Sequence, residues 1–302
     1  MHSFDHLTGE IAAIGTALFF AVSSTLFAAA GRRAGASKVN RSRLLVAALL
    51  AVAIYWVMHG HPLPTGLSSS AWMWLALSGV IGLALGDESL FRAYVLIGPA
   101  LSMLIFALAP AIAACLSWLL FGEALTMLEI FGIALTLAGI AWVVTAPKRP
   151  VSATAPGAYA LGLVLALGGA LGQALGLITA KVGLTQGASP QAANTIRLIA
   201  AAVVIWLVTV LSGRMKQSLS IWSEHPRAAV FTVCGAGMGP IVGVWLSLIA
   251  INRAPIGVAS TLMSLTPLFL LPIGRVVFHE PITLRALAGT VVALAGVGVL
   301  LR

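Results

Sequence analysis

Charge is what this chain has least of. Only 8% of its 302 residues are Asp, Glu, Lys or Arg, where a soluble domain carries roughly a quarter. Acids are scarcest, with eight in all and only two aspartates, Asp5 and Asp87. The deficit runs along the whole length, and mean hydropathy is +1.05. No stretch remains that would fold as a water-soluble domain, and the class is a multi-pass membrane protein. Cysteine is nearly absent. Cys115 and Cys234 both lie in apolar runs and are expected as buried thiols, with no disulfide and no metal site.

These absences exclude several activities. There is no P-loop and no His-Glu-x-x-His, and His59-x-His61 has no convergent carboxylates, so direct ATP drive and zinc hydrolysis are not expected. Leu85-Gly86-Asp87 resembles the end of an intramembrane aspartyl-protease motif. Ala84 stands where that motif begins with glycine, and the other aspartate, Asp5, precedes the first span, so no catalytic pair forms. The chain is expected not to be an enzyme and to need no cofactor. A net charge of +9 does not indicate nucleic acid, because the basic residues cluster in short connections between apolar runs.

What is present is a set of apolar runs of spanning length, which takes about 20 residues. Spans are expected near 11–30, 44–58, 71–92, 99–121 and 125–146, and after the linker PKRPVSATAPG near 157–180, 195–212, 228–251, 256–278 and 283–301. The second is expected to reach back to Asn40. Arg32-Arg33 follow the first run directly, which is unlike a cleaved leader. Placing the first connection (Arg32, Arg33, Lys38, Arg41, Arg43) in the cytoplasm puts about thirteen Lys and Arg on that side. Lys181, Arg197, Arg253 and Arg302 remain on the other, so both termini are expected outside.

The two halves repeat. At a constant offset of 157, Pro110 meets Pro267, Phe121 meets Phe278, Glu123 meets Glu280, Thr126 meets Thr283 and Gly132 meets Gly289. Gly82 and Gly86 meet Gly239 and Gly243 at the same offset. Asn40-x-x-Arg43-Leu44 matches Asn194-x-x-Arg197-Leu198 at 154, which a short insertion in 212–227 explains. Each half holds five spans, an odd number, so the second half enters from the opposite side. The expected architecture is an all-α membrane protein of about ten helices in two inverted five-helix repeats, residues 1–148 and 149–302. Such folds hold a site between the halves and alternate access by rocking.

These residues resemble the EamA-like branch of the drug/metabolite transporter superfamily. The likeness rests on Pro110 and Pro267, on Phe121-Gly122-Glu123 and Phe278-His279-Glu280, on the Gly-rich fifth helix of each half, and on Ala250-x-x-Arg253-Ala254-Pro255. It covers nearly the whole chain. It implies a transporter of small metabolites, and in many relatives the termini are cytoplasmic, opposite to the charge count. His279 departs from the usual glycine. The 59–70 connection also departs, lacking Lys and Arg.

The candidate residues divide by environment. Pro110 and Pro267 are read as mid-span kinks, with gating or fixed packing as alternatives. Glu123 and Glu280 sit where the fourth helix turns into the fifth, and Thr126-x-x-Glu129 reads as a capping box. Arg43 and Arg197 are read as snorkelling to headgroups or tying helix ends, and Lys181 as snorkelling. Gln173 stands among Gly168, Gly169, Gly172 and Gly176, where an amide must find a partner or face a cavity. Trp245 lies deep in the eighth span, unlike Trp56, Trp72, Trp74, Trp142 and Trp222 near span ends. Ser23, Ser24 and Thr25 either bond back to their own helix or line a cavity.

Asp87, Glu88 and Arg92 are the sharpest case. Glu88 and Arg92 stand at i,i+4 and suit an ion pair. The run 71–86 is short for a span, so the helix is expected to continue past Asp87. The matching positions in the second half, Val244, Trp245 and Ile249, carry no charge, so the fold itself does not need the acids, and a membrane carboxylate is a functional candidate. The expected substrate site is therefore Asp87, Glu88, Gln173, Trp245 and Ser24, with Arg92 as counter-ion and no metal. The function expected is secondary-active export of small metabolites such as amino acids or related amines, with proton coupling as a further expectation. A non-transporting binding protein and a lipid-linked-substrate flippase are the alternatives. Expected partners are membrane lipid, substrate and protons, with no nucleic acid, and a homodimer is left open.

Overall fold

The fold comes from a computed structural model, which describes residues 2–97, 102, 105, 106, 108–122, 124–144, 156–266, 268, 269, 272, 273 and 284–300. Among them there is helix and no strand. The first half contains α1 (His2–Ala34), α2 (Ala36–His59), α3 (Ser69–Ser78), a π-helical segment Gly79–Gly86, α4 (Asp87–Ile97), α5 (Ala109–Phe121) and α6 (Met127–Val144). The second contains α7 (Pro156–Thr185), α8 (Pro190–Leu211), α9 (Met215–Glu224), α10 (Pro226–Ala236), a π-helical segment Gly237–Gly243, α11 (Val244–Arg253), α12 (Ile256–Met263) and α13 (Leu284–Leu300).

Six helices are long and apolar enough to cross a membrane: Leu7–Gly31, Ser37–His59, Ser69–Ala93, Ala158–Thr185, Pro190–Leu211 and Pro226–Arg253. The fourth, fifth, ninth and tenth expected spans hold shorter described helices. The third span does continue past Asp87, as its length required, because α3, the π segment and α4 run on without a break. Large apolar side chains such as Leu49, Val57, Leu119 and Leu211 face outward, as they do where the surrounding solvent is lipid. The same fact corrects the cysteines. Cys115 and Cys234 are free but exposed, because in a membrane an outward helix face is as apolar as the core.

Glycine decides which faces meet. Gly82 and Gly86 lie against Gly176 and Gly172 of α7, where an added Cβ at Gly82 would stand 3.4 Å from the Gly176 Cα and one at Gly86 would stand 3.3 Å from the Gly172 Cα. Ser78 seals this contact by donating to the Gly176 carbonyl at 2.5 Å. Early residues of α3 meet late residues of α7, as Leu75 does Gly183, so the two run antiparallel. The partner arrangement has the same form. Gly235, Gly239 and Gly243 pack on Phe27, Ser23 and Phe20 of α1, while Gly9 meets Ala254, so α1 runs antiparallel to α10–α11.

Equivalent helices also pair with each other. The Trp206 indole near the end of α8 donates to the Arg41 carbonyl near the start of α2 at 3.2 Å, so the two second helices are antiparallel. Gly139 of α6 abuts Gly289 and Ala293 of α13, while Gly296 abuts Thr136 and Gly132, so the fifth helices are antiparallel too. Two groups result, α3–α4 with α7 and α1 with α10–α11. α2 and α8 each touch both groups.

Candidate functional site

The π segments position the site. Each replaces regular helix at the same place in its half, directly before Asp87 and directly before Val244. A π turn leaves the i→i+4 ladder, shifts side chains around the axis and recurs at functional sites. In the second half Pro240 lies inside the π segment. The Asn194 amide takes up backbone carbonyls there, donating to Pro240 and Ile241 at 3.2 Å each.

Asp87 emerges from its π segment facing α2. Its carboxylate accepts from Arg43 Nη2, and both side chains are largely buried, 18% and 10% exposed. The Arg43 guanidinium lies over the rings of Phe27 and Phe91, at 5.5 and 5.2 Å from their centroids, a desolvated cation–π arrangement. Its Nε donates to Asn40 Oδ1 at 2.8 Å, and the Asn40 amide donates to Glu88 Oε2 at 2.9 Å. Glu88 also accepts from Arg92 Nε at 3.1 Å. The expected i,i+4 pair is present, and Arg92 is its exposed end, at 57%. Beyond Phe91 and Arg92 a groove of about 620 Å³ opens, lined also by Lys38, Leu161, Leu165 and Gln217.

This network decides between the two readings of the second-helix arginines, and for Arg43 it is the tie between helices that holds. Neither snorkels: Arg43 is 9% exposed and Arg197 is 3%. Arg43 is held inside by Asp87, by Asn40 and by two rings. Arg197 packs its backbone against Gly79 and brings its guanidinium near Gly82, on the helix that carries Asp87. Its Nε and Nη1 have no hydrogen-bond partner among the described residues. The sequence held the signal, since Asn-x-x-Arg-Leu occurs at the same helix in both halves. Five charges, Arg43, Asp87, Glu88, Arg92 and Arg197, therefore gather along one stretch of the bundle.

The other candidates do not join this network. Gln173 is half-buried beside Gly172 and makes no hydrogen bond among the described residues, and Trp245 is half-buried on α11. Ser24 is exposed and donates to the Phe20 carbonyl of its own helix at 2.7 Å, while Ser23, at 4%, is the buried neighbour that touches Gly239. Lys181 stands 5.8 Å from the Phe121 ring centroid. Pro110 occupies the first turn of α5 instead of a helix interior. The missing N–H costs nothing there, and the chain enters through a turn in which Leu108 donates to Ile105 at 3.0 Å. Pro267, Glu123, Glu280 and His279 lie outside the described residues. The capping box is present, with the Thr126 N–H donating to Glu129 Oε2 at 2.7 Å and the Glu129 N–H to Thr126 Oγ1 at 3.2 Å. Among the described residues no His, Cys, Asp or Glu group is arranged to hold a metal.

Comparison with known proteins gives the same frame. The EamA-like transporter family model matches twice, over residues 7–145 and 160–302. Among curated proteins none matches. A crystal structure of another protein superposes with a TM-score of 0.75 at 18% identity, covering 99% of this chain and 96% of that one. At that identity the likeness is one of fold.

Proposed function

From the premise that this chain belongs to the EamA-like transporter family, we propose that it is a secondary-active carrier of small metabolites. It crosses the membrane ten times, in two inverted five-helix repeats. The observation that carries the reading is the antiparallel packing of equivalents, α2 on α8 and α6 on α13. Equivalent helices related by an axis along the membrane normal would pair parallel, whereas an in-plane two-fold pairs them antiparallel. Such an axis lets the two groups of helices exchange shapes, which opens the interior first to one side and then to the other.

The substrate meets the carrier beside Asp87 and Glu88, the acids that one half has and the other lacks. Both already hold guanidinium groups, and a substrate amine would compete with arginine for them. An amino acid or related amine fits this chemistry, moving outward across the cytoplasmic membrane, with Gln173 and Trp245 as further contacts. Lys38 donating to Ser220 and Arg41 to Ser218 gather basic residues at one end of the bundle, which supports that end as cytoplasmic and the termini as outside.

Solute counterflow in proteoliposomes tests the reading. Vesicles preloaded with an unlabelled amino-acid mixture should take up a labelled member of it transiently above equilibrium. Saturable binding without accumulation inside would instead make the chain a binding protein.

A further inference from the structure

The two helix-two arginines are equivalent by sequence and unequal in structure. Among the described residues Arg43 has a carboxylate partner and Arg197 has none. The position in the second half that corresponds to Asp87 is Val244, which is 6% exposed and uncharged. Arg197 therefore has no acid of its own. It is buried, its Nε and Nη1 are unpaired among the described residues, and its guanidinium turns toward Gly82, on the helix that carries Asp87. A buried charge without a partner is strongly unfavourable, and moving one acid from Arg43 to Arg197 exchanges one unpaired guanidinium for the other at little net cost.

We infer that Asp87 is a counter-ion shared between Arg43 and Arg197, and that transport passes it from one to the other. The inference rests on the alternating-access reading above. The helix that bears Asp87 belongs to one group, while α2 and α8, which bear the arginines, touch both groups. When the groups rock, this helix moves relative to both arginines. The π segment ending at Gly86 gives the carboxylate its rotation. Converting it to regular α-helix changes the register by one residue, which turns Asp87 by about 100° around the axis. Two symmetric arginines and one acid then make two arrangements of similar kind, in each of which one guanidinium is paired and the other waits. Arg197 is thereby a working residue of the carrier, acting through Asp87.

Spin labels on Gln186→Cys and Asn252→Cys, in a chain with Cys115 and Cys234 changed to serine, report the rocking. These two exposed positions lie at the same end of the bundle, on different groups. Wild type should give two distances by electron–electron resonance in lipid nanodiscs. Arg43→Gln and Arg197→Gln should shift their ratio in opposite directions, each by roughly tenfold. Val244→Asp gives Arg197 its own acid and should shift it as Arg197→Gln does. Arg197→Lys keeps the charge and should shift it less, which guards against misfolding of the glutamine variant. In an Asp87→Asn background the opposition between the two arginine variants should vanish. Two distances with a ratio insensitive to Arg197, or shifted alike by both arginine variants, would overturn the shared counter-ion alone. One distance in every variant would overturn the rocking itself.

Discussion

Asp87 and Arg43, 44 positions apart in sequence, form a buried ion pair that joins the third span of the first half to the second. Removing one member leaves the other charged and dry. Asp87→Asn should destabilise the protein by about 3–5 kcal/mol and Arg43→Gln comparably, while the double variant should recover part of the loss. Denaturation in detergent micelles, followed by helical circular dichroism, measures this as a coupling energy. Additive losses would mean that the pair contributes nothing jointly.

Glu88 should matter less to stability than Asp87. Its second partner, Arg92, is the exposed end of the network, and exposed pairs contribute only about 0–1 kcal/mol. Arg92→Gln should therefore change stability by less than about 1 kcal/mol. Glu88→Gln keeps a weaker acceptor for the Asn40 amide and should cost about 1–2 kcal/mol. The same denaturation experiment ranks all four variants, and an Arg92→Gln loss as large as that of Asp87→Asn would contradict the arrangement.

How much of this was legible in the sequence depends on what each feature needed. The helical class and the two repeats followed from apolar runs and from rare residues recurring at one offset, because such signals are local or periodic. The continuation past Gly86 followed from length alone. The Glu88–Arg92 pair and the Thr126–Glu129 box followed from i,i+4 and i,i+3 spacing within one helix. The Arg43–Asp87 pair did not, since it depends on how two helices rotate against each other, and no spacing records that. The cysteines were misread for a related reason, because an apolar neighbourhood in a membrane chain does not say which side is inside. The π segments left no mark except the glycines that bound them.

Packing gives a sharper test of the glycine faces. A Cβ at Gly79 would lie 2.7 Å from the Arg197 Cα, and one at Gly172 would lie 2.7 Å from the Gly86 Cα. Both neighbours are backbone and cannot turn aside. Gly79→Ala and Gly172→Ala should each cost about 1–3 kcal/mol by overpacking. Gly237, with nothing within 4 Å, is the matched control, and Gly237→Ala should be near neutral or stabilising. Thermal unfolding of the three variants in one detergent orders them.

Coupling to protons is a separate claim and has its own test. If the acids carry protons, an imposed pH gradient should drive uptake in wild type, and Asp87→Asn should abolish the drive and also weaken downhill exchange of the same solute, because the same carboxylate meets the substrate. Glu88→Gln, measured beside it, assigns the proton to one acid or the other. Equal uptake with and without the gradient in wild type would remove protons from the account.

The central claim is that this chain carries solute by alternating access, and counterflow measures it most directly. Purified protein in vesicles preloaded with unlabelled amino acids should show an overshoot of labelled amino acid that decays to equilibrium, absent from protein-free vesicles. Uptake that only rises to the equilibrium level in both kinds of vesicle, while the purified protein still binds the label saturably, would contradict it.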